Sequence, residues 1–296
     1  MKFYIFSRPD AKHSPEGMNS LARALEHYGV DFHVNRGFAS ELREKAALHI
    51  PQDKVYENLQ GENIGPDDIL LCYGGDGTIL EGVRRLAGKA VPLLGINAGR
   101  LGFLANIPPQ QTDAAIGEIL AGRYEVEKRS MLAAEGDFAP VPDFPYAFNE
   151  FAVQRHSAAM INVQVYADDD MVASCHGDGV IVSTPSGSTA YSLSVGGPIV
   201  SPQCRCMVIS PIAPHNLSMR PVVIPDSAQL TLHVCTRGEK AQVSLDNMTF
   251  EAPTGARFRL RKAEISVFLI RLQNISFYDT LRNKMMWGLD QRDLHK

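Results

Sequence analysis

Five consecutive residues, Gly74-Gly75-Asp76-Gly77-Thr78, combine what an anion is drawn to with what it is repelled by. The glycines let backbone N–H groups approach a phosphate closely, and a helix opening at such a loop adds its positive end. A carboxylate in the same loop opposes that phosphate unless it holds a metal or removes a proton. Asp76 therefore reads as catalytic or metal-linked. The alternative is structural, a tight strand-to-helix turn in which Asp76 caps the helix. The loop lacks the lysine and spacing of a Walker A motif and the G-x-G-x-x-G of dinucleotide-binding dehydrogenases, so two common nucleotide-binding readings lose ground.

A second constellation lies far downstream. Ser183-Thr184-Pro185-Ser186-Gly187-Ser188-Thr189-Ala190-Tyr191-Ser192 follows Gly177-Asp178-Gly179 and the apolar Val180-Ile181-Val182. Its hydroxyls suit ribose, base edges or phosphate oxygens, and Tyr191 suits stacking on a ring. A Ser/Thr-rich surface turn is the plainer alternative. Gly196-Gly197-Pro198 follows at once and implies a further tight backbone arrangement, which weakens that alternative.

The elements that position these loops are legible in the apolar pattern. Residues 2–6 read as a strand; Met18, Leu21, Ala22, Leu25 and Tyr28 recur at helical spacing before Gly29, and residues 32–34 resume as a strand, making a βαβ unit. The run Ile69-Leu70-Leu71-Cys72-Tyr73 is continuously apolar, as a strand covered on both faces should be. Ile79, Leu80, Val83 and Leu86 then keep helical spacing to Gly88, and residues 91–96 give another buried strand before the glycine loop Asn97-Ala98-Gly99-Arg100-Leu101-Gly102. After a helical pattern at 112–120 the texture changes to short, often alternating runs at 148–153, 161–166, 180–183, 230–234, 243–245 and 258–260, which predict an antiparallel β domain. Residues 265–270 read as a strand, and a helix-compatible tail follows through Leu281, Met285 and Leu289. Residues 61–66 are polar and poorly periodic, and no element is assigned between residues 34 and 61.

The bulk properties exclude several classes. At 296 residues, 45% hydrophobic and 21% charged, the chain can form two domains with separate cores. A net charge of −4 with thinly spread basic residues gives no footprint for nucleic acid or an anionic membrane. No run approaches the ~18 apolar residues of a membrane span, and the apolar start is too short for a signal peptide. Cys72, Cys175, Cys204, Cys206 and Cys235 form neither a disulfide framework nor a CxxC zinc pair, so a reducing cytoplasm is expected.

Taken in order, Gly74 to Thr78, Asn97 to Leu104, Asn149-Glu150, Gly177-Asp178-Gly179, Thr184 to Pro198 and Pro214-His215-Asn216-Leu217-Ser218-Met219-Arg220-Pro221 resemble the NAD kinase family. The first motif alone is shared with diacylglycerol and sphingosine kinases, and phosphofructokinases carry a related loop; the Ser/Thr-rich motif is far more specific. The fold expected is an α/β N-terminal domain with a Rossmann-like, phosphofructokinase-like parallel sheet plus an all-β C-terminal domain, an antiparallel β-sandwich. The divisions expected are 1–108, 109–270 for an NAD-binding domain, and a tail 271–296 returning to the N-terminal domain. The resemblance implies transfer of the terminal phosphate of ATP or polyphosphate to the 2′-hydroxyl of the adenosine ribose of NAD, with Mg²⁺ carried by the nucleotide and no protein metal cage.

By the same resemblance Asp76 is the general base, Gly75 and Gly77 offer phosphate-facing backbone, Thr78 a hydroxyl at the helix start, and Arg100 a phosphate contact. NAD would meet Asp76, Gly77, Phe103, Asn149, Glu150, Asp178, Ser186, Thr189, Ala190, Tyr191, Ser194 and Asp246, with Leu104 completing an apolar wall beside Phe103. Leu245-Asp246-Asn247-Met248 departs from the family's Asp-Gly-Gln by losing its glycine, and Asn247 would tolerate a left-handed conformation. A homodimer or homotetramer is implied. The rivals are a lipid kinase, which needs an acyl-chain cavity, and a catalytically silent dinucleotide-binding regulator.

Overall fold

The computed structural model describes residues 1–11, 13–99, 102–273 and 275–288. It comprises two compact units, one formed by Met1–Lys128 with Val267–Lys296 and the other by Arg129–Ser266.

The first unit is α/β. Its strands β1 (Phe3–Phe6) and β2 (Phe32–Asn35) flank helix α1 (Pro15–His27); α2 (Arg36–Lys45) and the short β3 (Val55–Tyr56) follow. Ser14 caps α1 by accepting from the Gly17 N–H at 3.1 Å, and Pro15 sits where a missing N–H costs nothing. Strand β4 (Ile69–Tyr73), helix α3 (Asp76–Leu86), β5 (Pro92–Ile96) and α4 (Thr112–Leu120) complete its first pass. All five residues of β4 are buried, as a parallel strand covered on both faces requires. Gly82 lets α3 settle on that strand, since a Cβ there would lie 2.7 Å from Cys72 Sγ. The helix stops at Ala87, in the left-handed region at φ 49°.

The second unit is antiparallel. After β6 (Tyr124–Gly136) come β7 (Tyr146–Ala147), β8 (Glu150–Arg155), β9 (Ile161–Ala167), β10 (Asp170–Gly177) and β11 (Gly179–Ser183). The one-turn helix α5 (Tyr191–Ser194) leads to β12 (Cys206–Ile212), β13 (Val222–Pro225), β14 (Leu230–Thr236), β15 (Lys240–Leu245) and β16 (Met248–Pro253). One sheet runs β13-β12-β11-β8-β15-β16; β10, β9 and β14 form another with the start of β17 (Arg257–Leu272). Strands such as β9, β14 and β15 bury alternate residues. Those inward side chains, among them Phe151, Val163, Val180, Leu232, Val243 and Phe258, share one core, as in a β-sandwich.

The end of β17 belongs to the first unit, where Phe268 and Leu269 pair in parallel with Pro92 and Leu93 of β5. Helix α6 (Phe277–Met285) follows, opened by a Ser276/Asp279 capping box. Leu289 lies outside the described residues. The first unit's sheet thus reads β17-β5-β4-β1-β2-β3, all parallel, and chain order reverses between β1 and β4. Ligands of such sheets bind beyond the carboxyl ends of the strands at that reversal. The Gly74 to Thr78 loop leaves β4 there. Divisions drawn at 108 and 270 fall within the first unit, whose first stretch runs on through α4 to Lys128 and whose second begins at Val267.

Candidate active site

Gly75 occupies the N-cap of α3 and Asp76 its first helical position, so the aspartate does not cap the helix. Thr78 is 3% exposed and its Oγ1 turns onto Gly74, where a Cβ would lie 2.1 Å away. Asp76 is half-buried, with its carboxylate engaged by the second glycine loop. Its Oδ2 accepts from the Phe103 N–H at 2.9 Å, while Oδ1 accepts from Leu104 at 3.1 Å and Ala105 at 2.9 Å. A carboxylate oxygen has two accepting directions. Among the described residues, Oδ1 has used both and Oδ2 retains one.

The second loop is itself pinned. Asn97 Nδ2 donates to the Ala105 carbonyl at 2.9 Å, its Oδ1 accepts from the Gly99 N–H at 2.8 Å, and the Ala98 N–H donates to the Gly74 carbonyl at 3.3 Å. Gly102 packs directly on the catalytic candidate, for a Cβ there would fall 1.9 Å from Asp76 Oδ1. The Phe103 ring is half-buried; Lys284 Nζ stands 4.5 Å from its centroid and Phe277 lies 6.5 Å away. Arg100 lies outside the described residues.

In the second unit, Asp246 repeats the arrangement of Asp76. Its Oδ2 accepts from the Phe148 N–H at 2.8 Å, and Oδ1 accepts from Asn149 at 2.7 Å and Glu150 at 3.1 Å. Asp246, and not Asn247, is the left-handed residue of the β15–β16 turn, at φ 51°. The turn's backbone is half-exposed while the carboxyl faces inward. Withdrawal from water raises the Asp246 carboxyl to about 6, with the three backbone donors pulling the other way. Glu150 is 7% exposed and is raised to about 8, first by burial and then by the Asp246 charge, with a lesser opposing hydrogen bond from the Tyr191 backbone. Since Asp246 has three donors and Glu150 fewer, Glu150 is the partner that keeps the proton.

Among the described residues, Asn149 Oδ1, Glu150 Oε2 and Ser183 Oγ are buried without a hydrogen-bond partner. Buried polar atoms are usually satisfied, so three orphans around two adjacent residues and the strand paired with them mark a place built for a ligand. Gly187 closes over that place, because a Cβ on it would lie 2.1 Å from the Asn149 carbonyl oxygen.

The hydroxyl-rich segment divides its labour. Thr184 Oγ1 donates to the Phe148 carbonyl at 2.7 Å, Ser188 Oγ to the Pro185 carbonyl at 2.7 Å, and Ser192 Oγ pairs with Ser210 Oγ at 3.0 Å. Those three shape the loop. Ser186 Oγ accepts from Arg129 at 3.3 Å, Thr189 Oγ1 donates to the Ser186 carbonyl at 3.3 Å, Ala190 is half-buried and Ser194 is exposed. The Tyr191 hydroxyl accepts from Gln154 Nε2 at 3.1 Å. Tyr191 is raised by burial and then by the Asp178 and Glu150 charges, which puts all three in electrostatic reach. Asp178 is ion-paired with Arg155 at 2.7 Å.

The first unit therefore gathers Gly75, Asp76 and Gly77 with the main chain of Phe103 and Leu104; the second gathers Asn149, Glu150, Asp178, Ser186, Tyr191 and Asp246. Gln154 and Arg155 escaped the sequence reading, whereas Gly102 and Ser183 lie in loops singled out there without being named as site residues. Gly102 carried the signal of a second glycine loop after a second core strand, and Ser183 that of a hydroxyl-rich run; Gln154 and Arg155 carried none.

Two family models match the chain, the ATP-NAD kinase N-terminal domain over residues 3–124 and the ATP-NAD kinase C-terminal domain over residues 148–272. An NAD kinase of Bacteroides fragilis is 38% identical over 99% of this chain and 100% of its own length. One from Christiangramia forsetii is 41% identical over the same shares. Among solved structures, yeast NADH kinase complexed with NADH has a TM-score of 0.85 at 22% identity, covering 98% of this chain and 88% of its own. An NAD kinase from Archaeoglobus fulgidus in complex with ATP has a TM-score of 0.74 at 23% identity, covering 97% and 99%. At those identities the two structures speak for the fold.

Proposed function

The chain belongs to the NAD kinase family, and from that premise we propose that it transfers the terminal phosphate of ATP, or of polyphosphate, to the 2′-hydroxyl of the adenosine ribose of NAD, giving NADP, with Asp76 as proton acceptor. Phosphoryl transfer asks the protein chiefly for alignment, a group to take the hydroxyl proton, and donors around the moving charge. The observation that carries the reading is the Asp76 carboxylate, oriented by three backbone N–H groups yet keeping, among the described residues, one accepting direction on Oδ2. A base held this way loses no alignment when the hydroxyl arrives. Gly75 and Gly77 supply main chain at the positive end of α3 for the donor's phosphates, which enter as the Mg²⁺ complex.

Asn149 and Glu150 hold the adenosine part, and their orphaned oxygens support this. A ribose diol donates to Glu150, and Asn149 accepts from an N–H or O–H of the ligand. Asp178 accepts from the carboxamide, beside Tyr191, Ser186, Thr189, Ala190 and Ser194; Asp246 serves by holding the Asn149-Glu150 backbone. The chain works in the cytoplasm, a reading supported by cysteines that are all free thiols. No helix among the described residues is long and apolar enough to cross a membrane. It assembles as a homodimer or homotetramer through the second unit, where Leu217 is 85% exposed and Val222 and Val223 are exposed on the edge strand β13.

The test is direct: purified protein with NAD, ATP and Mg²⁺ should form NADP, and Asp76→Ala should abolish turnover while NAD still binds. No NADP with ATP, other nucleoside triphosphates or polyphosphate would sink the proposal.

A further inference from the structure

Arg8 is a cation standing where the charge of the fold asks for an anion. Helix α3 opens at Asp76 and presents the positive end of its dipole there. Arg8, just past the end of β1, places Nη1 2.9 Å from where a Cβ on Gly77 would stand. Guanidinium and helix terminus carry the same sign, so their approach is unfavourable unless a negative group joins them. Asp10 does so in part: Arg8 Nε donates to its Oδ1 at 2.9 Å and Nη2 to its Oδ2 at 2.5 Å. The two side chains are 33% and 67% exposed, and an ion pair that wet is weakly held. Strands β1 and β4 adjoin at the reversal of strand order, so Arg8 and the Gly74 to Thr78 loop leave neighbouring strand ends.

We propose that Arg8 is the guanidinium clamp for the donor's phosphate chain. Its planar fork exchanges the Asp10 carboxylate for two oxygens of the phosphoanhydride, which then lies between the guanidinium and the first turn of α3. Arginine suits this because its fork matches phosphate bidentately. Gly77 is then small for a reason, since a Cβ there would already stand 2.9 Å from Arg8 Nη1 and would block the fork's approach to a phosphate held at the helix end. Asp10 is the resting partner that keeps the fork aligned between turnovers. This rests on the kinase reading above and adds to it a residue outside the family motifs.

The test compares wild type, Arg8→Ala and Arg8→Lys, with NAD and donor varied separately and inorganic tripolyphosphate as an inhibitor competing with ATP. Arg8→Ala should raise the KM for ATP and the Ki of tripolyphosphate by roughly ten- to a hundredfold, the range of one lost charge-assisted contact, with the KM for NAD within about threefold. Arg8→Lys should recover only part of this. An unchanged tripolyphosphate Ki, or equal rises for ATP and NAD, would overturn the clamp. A loss seen with ATP but not with tripolyphosphate would assign Arg8 to the adenosine end and overturn it too. Should wild type make no NADP at all, the kinase reading fails, and tripolyphosphate's effect on the unfolding temperature of wild type against Arg8→Ala still decides whether Arg8 holds a phosphate chain.

Discussion

Asp76 and Asp246 each receive three consecutive backbone N–H groups in the same pattern, the first on Oδ2 and the next two on Oδ1. They differ in what lies beyond. Among the described residues Asp76 keeps an accepting direction at the mouth of a glycine loop, so Asp76→Asn should lower kcat by about 10²–10⁴, the range of a lost general base, with the dissociation constant for NAD little changed. Gly102→Ala should lower kcat by at least about 10², because its methyl group displaces the carboxylate and misplaces the base. Steady-state kinetics with calorimetric NAD titration checks both, and a Gly102→Ala enzyme with normal kcat would refute the steric account. Behind Asp246 stands Glu150, raised from 4.5 to about 8 by burial and the Asp246 charge. A carboxyl raised on folding binds more protons folded than unfolded, so ligand-free stability should fall as pH rises from about 4.5 to about 8. Glu150→Gln should flatten that slope and raise the unfolding temperature at pH 8.5. Ribose hydroxyls donating to Glu150 favour its charged form, so NAD binding at neutral pH should release a proton in wild type and none in Glu150→Gln. Titrations in two buffers of different ionisation enthalpy measure this, and equal proton counts would refute it.

At the scale of elements, the β15–β16 turn decides how Asn149 and Glu150 are held. The left-handed conformation belongs to Asp246, so Asn247→Gly should change stability by no more than about 0.5 kcal/mol, as for a plain surface substitution. Asp246→Ala should cost at least about 2 kcal/mol, by leaving three N–H groups without their acceptor, and should weaken NAD binding. Denaturant unfolding separates the two, and an Asn247→Gly change larger than that from Asp246→Ala would reverse the assignment. Helix α2 shows why its segment was illegible in sequence. It buries only Phe38, Ala39 and Leu42, and its N-cap Asn35 makes no cap bond. The Asn35 side chain instead accepts from the Ser7 N–H at 3.0 Å. Glu41 of the same helix meets His13 Nδ1 at 3.0 Å, and His13 Nε2 meets Ser7 Oγ at 2.8 Å, in a chain ending on the Tyr73 carbonyl. That helix is specified by distant partners more than by its own periodicity.

For the whole molecule, the oligomer drawn from the second unit predicts that Leu217→Asp with Val223→Asp shifts the solution mass to that of the protomer. Light scattering checks it, and an unchanged mass would move the interface elsewhere. The strand β17 shows how the chain's course through the units escaped the pattern. Its apolar runs at 258–260 and 265–270 read as two strands because Arg261, Lys262 and Glu264 interrupt them. Alternate residues point outward along its first half, so those charges are solvated within one continuous strand. Its end joins β5 in parallel, a pairing between residues that no local rule connects.

Residue types and spacing alone determined the glycine loop, its carboxylate, the buried strands on either side, the change from α/β to antiparallel texture, and the family likeness. Those are local properties, set by side-chain period and backbone permissiveness. What only the tertiary structure decided is where each carboxylate's oxygens point. Asp76 is held by main chain 27 to 29 residues away and Asp246 by main chain 96 to 98 residues away. Backbone N–H groups carry no residue identity, so a sequence does not record which of them will meet a given carboxylate. The same holds for Arg8, whose position follows from lying just past a strand that pairs with β4.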